Sequence, residues 1–502
     1  MRKRRSPIGE DLIPRQRRRD LQNRPIKPLS NGTRRRTRSL PAVRQPLPML
    51  DKEDHLGWQE PLSVWNQSAP RVYICVVLCF PCDNHRRQDA IHHIESALKR
   101  LARERPVFAG RLQASSNSGS VSLHRSPLQD IPFQVLPASE SCQREYSRLR
   151  DDGFPPVSKV QAEFPPGGLL LSIFLHHGLV DGGSLRVFLE CFAAQTRNTP
   201  INLPSDQTFP IINTRGRRGP IHMHDVSTFR GLLARCPEYT MLGDLSGPTQ
   251  PRLLKTGMSM ARIEKVGKIF VFTNQKLQEL RELIQSRNGT TDPPSAYTSL
   301  AALAFAHITR SRVTAEKYLP GVQPRRVAML WNSVNWRTRA FQGATENYFG
   351  NAALPAVTKA SMGQLTAACT DDNELARLVP LIKASIDAVD QEYVSRRLAM
   401  LSEAPDPRLV GVNYDPRMSE VLAFNTWRHF GADVEWSIPG VPVARADAIR
   451  RAHGSWNLGT ALILPAKADS MKQELFVSLS VDSMRLLCAD SGWTRWIDRI
   501  IG

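Results

Sequence analysis

The sequence predicts an α/β protein built as two domains. At 502 residues the chain is longer than one ordinary hydrophobic core accommodates. Hydrophobic residues make up 41% and charged residues 23%, a globular balance. Apolar runs of strand length lead repeatedly into helical periodicity. Residues 169–175 precede Leu185, Phe188 and Leu189; residues 268–273 precede Leu277, Leu280, Leu283 and Ile284; residues 474–482 precede Met484, Leu487 and Trp493.

Residues 1–50 hold fifteen Lys/Arg against three acids, more than half of the net charge of +20. Their basic clusters, Arg2 to Arg5, Arg17 to Arg19 and Arg34 to Arg36, are interrupted by prolines and have no apolar surface to bury. This extension is expected to be disordered and solvated. A nuclear-import or nucleic-acid-contacting arm is the competing reading, but no DNA-reading fold follows it, so nucleic acid is not an expected partner. No apolar stretch reaches the ~18 residues of a membrane span, and the N-terminus lacks the apolar segment of a secretory signal. Eight scattered cysteines without regular spacing suit reduced thiols. A soluble, cytoplasmic monomer is expected.

The folded part begins near residue 51. Residues 71–80 read as a strand. Cys75, Cys79, Cys82 and His85 have a metal-like spacing, but two of these cysteines sit in an apolar strand run, and no metal is implied. A helix follows over 91–105, with Ile94, Ala97, Leu98 and Leu101 on one face. Residues 200–257, rich in Pro, Gly, Arg and Thr, look like a crossover. The expected division is therefore a first domain over 51–222, a linker over 223–262 and a second domain over 263–502. In the second, residues 268–273 form a strand, Asn274 caps a helix, and residues 293–312 make a buried helix. A strand over 327–339, one amphipathic helix over 375–401, and an edge hairpin from 459–467 and 474–482 complete it before a closing helix.

The chemistry-bearing stretch is HHGLVDGG, residues 176–183. A buried strand delivers His176 and His177 to its end; Asp181, Gly182 and Gly183 follow; Ser184 is placed to cap the next helix. An imidazole, with an ordinary pKa of about 6.5, is mostly a free base at neutral pH, so His177 is the candidate general base. Asp181 can accept from the imidazole or pair with an arginine and hold the turn, and the second role suits a turn with two glycines better. Adjacent histidines do not match the helical two-histidine zinc pattern.

This stretch resembles the HxxxDG motif of the BAHD-type acyl-CoA-dependent acyltransferases, particularly the fungal branch that includes trichothecene 3-O-acetyltransferase. The resemblance continues in the AGRL segment at 109–112, in Ser295 (with Thr298 where the family has aspartate), in the run Asn335, Arg337, Arg339, and in YFGN at 348–351. It is weaker at 425–445, where Glu435, Trp436 and Ser437 stand for the first residues of a DFGxG-like loop and Gly440, Pro442 and Arg445 for later ones. The resemblance implies two similar lobes of mixed β-sheet with flanking helices, chloramphenicol-acetyltransferase-like, with an active-site channel between them. It implies His177 and Asp181 as catalytic residues, with Gly182, Arg337 and Trp436 supporting the site and Arg337 partnering Asp181. Tyr348 and Asn351 are expected beside the acyl-CoA channel, where Asn351 offers a donor and an acceptor to pantetheine.

The implied reaction is direct acyl transfer without an acyl-enzyme, and the sequence contains no Gly-x-Ser-x-Gly elbow to carry one.

 The acceptor's hydroxyl, or an amine in its place, attacks the thioester carbonyl directly while His177 takes its proton, with acyl-CoA as co-substrate and no bound cofactor. The expected acceptor is a specialised metabolite such as a terpenoid, polyketide or alkaloid, and the expected group is acetyl. Two other readings stay open at this level: a condensation-type enzyme that uses a carrier-bound thioester, and a non-catalytic relative that binds a ligand or, through its basic arm, nucleic acid.

Overall fold

A computed structural model of the chain describes residues 58–70, 72–114, 121–125, 130–136, 162–201, 226–241, 263–316, 327–341, 348–404, 410–451 and 458–502. Residues 1–54 and 55–502 divide as separate units; the basic extension over 1–50 lies outside the described residues. The architecture is mixed α/β, as expected. A three-stranded sheet joins β1 (Tyr73–Pro81), β2 (Gly168–His176) and a third strand from far along the chain. A seven-stranded sheet uses β3 (Lys265–Thr273), β4 (Val327–Asn335), β5 (Ala353–Ser361) and β6 (Val421–Thr426). The third strand of the small sheet is β7 (Ala448–Arg451), antiparallel to β1. β8 (Thr460–Ile463), β9 (Lys472–Ser480) and β10 (Arg499–Ile501) complete the large sheet.

The large sheet runs in the order β10-β3-β9-β8-β6-β4-β5. It is mixed: β6 pairs parallel with both β4 and β8, and the remaining pairs are antiparallel. Alternation along β3 shows why both of its faces are buried. Phe270 and Phe272 pack with the buried helix Ala296–Glu316, whereas Ile269 and Val271 pack with Phe80 and Phe192 of the first half of the chain. The small sheet sends Ile74, Val76, Leu78 and Phe80 into that second cluster, where the helices α1 (Arg87–Glu104) and α2 (Gly182–Thr196) cover them. Two sheets and two helices thereby share one core, which β2 crosses on its way to His176.

Several local expectations are corrected. The hairpin of β8 and β9 lies inside the large sheet, whose edges are β10 and β5. The helix expected over 375–401 is two helices, Asp372–Asp387 and Gln391–Ser402, because Asp390 accepts from the Tyr393 N–H at 2.8 Å and starts the second. Thr273, not Asn274, caps the helix Asn274–Asn288. Ser295 does cap its helix: its hydroxyl accepts from the Thr298 N–H at 3.1 Å and meets the Thr298 hydroxyl at 2.9 Å. Of the linker expected over 223–262, residues 226–241 are described and form the helix Val226–Ala234 and the strand Tyr239–Met241, which pairs with Val410–Val412.

Candidate active site

β2 ends at His176 because the chain turns there. The His177 N–H donates to the Val72 carbonyl at 2.7 Å, and the Leu179 and Val180 N–H groups both return to the His176 carbonyl. The His176 ring closes the turn: its Nδ1 accepts from the Gly178 N–H at 3.0 Å, and the ring meets Tyr73 edge-on. Leu179 and Val180 bury their side chains with Leu62, Val107, Leu123 and Phe349. Both histidines of the motif are half-buried, and the ring of His176 is the one committed to the turn.

Asp181 ends the turn as the N-cap of α2; its Oδ1 accepts from the Ser184 N–H at 2.9 Å. Ser184, expected as the cap, serves elsewhere. Its hydroxyl donates to the Gly350 carbonyl at 3.0 Å and accepts from the Gly350 N–H at 2.9 Å. The Asp181 carboxylate also accepts from Arg337 Nη1 on Oδ2 and from Nη2 on Oδ1, both at 2.9 Å, and from the Ala352 N–H at 2.9 Å. Four donors satisfy both oxygens of a carboxylate that is only 3% exposed. Arg337 is as fully used: Nε donates to the Tyr348 carbonyl at 2.9 Å, and Nη2 to the Gly350 carbonyl at 2.7 Å and the Ser184 hydroxyl at 3.1 Å. Burial alone would raise the Asp181 carboxyl, but the Arg337 charge and these hydrogen bonds outweigh it and hold the group below the ordinary carboxylate range.

Glycine is required at two positions here. A Cβ on Gly182 would lie 2.1 Å from Phe430 Cε2, so the ring can approach only a bare backbone. Gly350 has φ of +150° and lies against the Tyr348 ring, where a Cβ would fall 2.4 Å from the hydroxyl.

His177 itself meets Asn351. Its Nδ1 stands 3.0 Å from Asn351 Oδ1, while Asn351 Nδ2 donates to the His177 carbonyl at 2.7 Å and to Asn66 Oδ1 at 2.9 Å. The Asn351 N–H also donates to Asn66 Oδ1, at 2.8 Å. Burial pushes the imidazole below its ordinary pKa of 6.5, with a smaller push from the charge of Arg451. Hydrogen bonds to its own backbone and to Asn351, and the charge of Asp181, oppose that shift without reversing it. The ring is therefore the neutral free base at neutral pH.

His177, Asp181, Gly182, Arg337, Tyr348 and Asn351 come together from segments more than 150 residues apart. Tyr348 stands behind the arginine, with its hydroxyl 2.9 Å from the Ser63 hydroxyl and its ring stacked on Trp336. Trp436 belongs to a different neighbourhood. It packs edge-on against Phe80 and Phe192, and so touches the helix that Asp181 caps rather than the turn. Glu435 and Arg445, from the same loop, face each other across an antiparallel bridge with a charge separation of 3.5 Å. Asn66 is a functional candidate that sequence reasoning misses. It lies in the short helix Val64–Ser68, outside every motif, and only its burial and its contacts mark it. Among the described residues no group of three or more His, Cys, Asp or Glu side chains is arranged to hold a metal ion.

A family model described as the Transferase family matches residues 143–491. The chain belongs to the Transferase family. This is the BAHD-type family that the HxxxDG and YFGN motifs resemble. Among its Transferase-family relatives is the eremophilane O-acetyltransferase prx11 of Penicillium rubens, 23% identical over 86% of this chain and 97% of that protein. The trichothecene 8-O-acetyltransferase of Fusarium sporotrichioides is 23% identical over 68% of this chain and 72% of that protein. In structure the chain is similar to F. graminearum TRI101, solved with coenzyme A and deoxynivalenol, with a TM-score of 0.69 at 17% identity over 89% of this chain and 100% of that one. It is also similar to vinorine synthase, with a TM-score of 0.58 at 17% identity over 88% of this chain and 94% of that one. These similarities give the fold: it is that of the BAHD acyltransferases.

Proposed function

We propose that this Transferase-family protein moves an acetyl group from acetyl-CoA to a hydroxyl of a specialised metabolite, with His177 as general base. The observation that carries this reading is the half-buried, neutral imidazole of His177, hydrogen-bonded on its Nδ1 side and set beside the Asp181–Arg337 turn. In one step His177 takes the acceptor's proton as the hydroxyl oxygen forms a bond to the thioester carbon. The tetrahedral intermediate then collapses, the C–S bond breaks, and the imidazolium returns its proton to the leaving thiolate. No covalent enzyme intermediate is needed. Holding both substrates against one base converts a bimolecular encounter into a positioned one.

In this reading Asp181 and Arg337 fix the turn. The YFGN segment borders an acyl-CoA channel between lobes over 51–222 and 263–502, with Asn351 beside the base and Tyr348 behind Arg337. Phe174 and Tyr73 lie on the sheet face that also carries His176 and are 44% and 63% exposed, an aromatic surface suited to an apolar acceptor skeleton. The names of the O-acetyltransferase relatives support a terpenoid alcohol. The protein is read as a cytoplasmic monomer without a resident cofactor; eight scattered cysteines without regular spacing suit a reducing compartment.

The test is thiol release from acetyl-CoA with a panel of hydroxylated sesquiterpenoids. Replacing His177 with Ala is expected to lower turnover by about 10² to 10⁴. Unchanged turnover in that variant removes the base assignment, and no turnover with any alcohol by the folded wild-type enzyme removes the acceptor class.

A further inference from the structure

The amide of Asn351 has only one orientation compatible with its neighbours. Its Nδ2 faces two oxygens, the His177 backbone carbonyl at 2.7 Å and Asn66 Oδ1 at 2.9 Å. The first of these can only accept, so the atom facing it must be the NH₂ nitrogen. Asn66 is oriented by the same logic: the Asn351 backbone N–H, which can only donate, points at it from 2.8 Å and requires an oxygen there. With both NH₂ protons committed, Asn351 presents its Oδ1 to His177 Nδ1 at 3.0 Å. An oxygen at that place accepts a hydrogen bond from a protonated Nδ1 and repels an unprotonated one.

We infer that Asn66 is a positioning residue that sets the tautomer of the catalytic base. Through Asn351, and beside the ring's hydrogen bond to its own backbone, it keeps the proton of neutral His177 on Nδ1 and leaves Nε2 as the lone pair that takes the acceptor's proton. Asp181, which in many His-containing sites would hold Nδ1–H, is here occupied by Arg337 and two backbone N–H groups. The two duties of fixing the turn and fixing the ring are thus given to different side chains. Asn66 is 1% exposed, on a five-residue helix whose neighbouring Trp65 packs against Trp336, so its amide is held from behind by the core.

The inference rests on His177 being the base, and its test separates the two. The position of the proton is read without substrate by ¹⁵N magnetic resonance of histidine-labelled protein at alkaline pH, with His177→Gln assigning the signal. The wild-type ring is expected to carry hydrogen on Nδ1. Asn66→Leu removes the acceptor, and a population with hydrogen on Nε2 is expected to appear. With acetyl-CoA and the most rapidly acetylated alcohol of the panel, kcat should fall about 10- to 100-fold while both KM values stay within about twofold. Asn66→Asp keeps an oxygen at the same place, and the Nδ1–H form should persist. A wild-type ring protonated on Nε2 overturns the inference without any variant. A folded Asn66→Leu protein with an unchanged tautomer also overturns it. If Asn66→Leu does not fold, Asn66→Asp decides: loss of the Nδ1–H form there overturns the inference, and retention supports it. An active His177→Ala enzyme would instead refute the proposed function and leave the tautomer result standing.

Discussion

Asp181 and Arg337, 156 residues apart in the chain, meet side by side through two hydrogen bonds of 2.9 Å. Both groups are buried, and the cost of removing two charges from water is offset only because nearly every donor and acceptor on them is used. The pair also binds HxxxDG to YFGN, since Ala352 and Gly350 hang from the same two side chains.

Asp181→Asn is expected to lower stability as well as rate, because it leaves a guanidinium buried without its counter-charge, at a cost of about 3–5 kcal/mol. Thermal unfolding beside turnover checks this. A loss of rate with an unchanged midpoint would mean that Asp181 acts on the imidazole rather than on the turn. The pH dependence has a defined sign: the Asp181 pKa is lowered in the folded protein, so its contribution is full above the ordinary carboxylate pKa and is lost as pH falls through the lowered value.

Gly182→Ala should destabilise by about 1–3 kcal/mol through the overlap with Phe430. Phe430→Leu in the same chain should recover part of the loss. Equal unfolding midpoints for the single and double variants would show that the close approach of the ring is not what demands glycine.

The acid limb of kcat/KM is expected below 6.5, because burial lowers the His177 pKa and the free base is the active form. Arg451→Gln should move that limb upward, since the arginine's charge adds to the same shift. A pH–rate profile of the two enzymes measures both effects. A limb at or above 6.5 in the wild type would place the titrating base in a more solvated site than that of His177.

His176→Ala removes the acceptor for the Gly178 N–H and the edge contact with Tyr73. A stability loss of about 1 kcal/mol is expected, with a smaller fall in turnover than for His177→Ala. Equal losses in the two variants would deny the division of roles between the histidines.

The strands around the site were legible because their sequences are almost continuously apolar: residues 71–80 and 169–175 read as apolar runs and form β1 and β2. Arg337 could be chosen as the partner of Asp181 from the resemblance alone, since nothing in its local sequence distinguishes it from Arg339. Caps were less legible. Asp181 and Ser184 are both good capping residues three positions apart, and the choice between them depends on Gly350 and Arg337, which come from the other half of the chain. The break between the helices Asp372–Asp387 and Gln391–Ser402 was missed because apolar positions such as Leu375, Leu378, Val394 and Leu398 are buried in both, so the periodicity resumes after the turn. Asn66 was invisible, because a single polar residue on a short helix gains its meaning only from what the fold places against it.

The pairing of β7 with β1 has a consequence for biosynthesis. A strand made near the start of the protein must wait for residues 448–451 to leave the ribosome before one of its long edges is satisfied. Until then the nascent polypeptide carries an open apolar template, so shortened translation products that stop before residue 448 should be chaperone clients and prone to self-association.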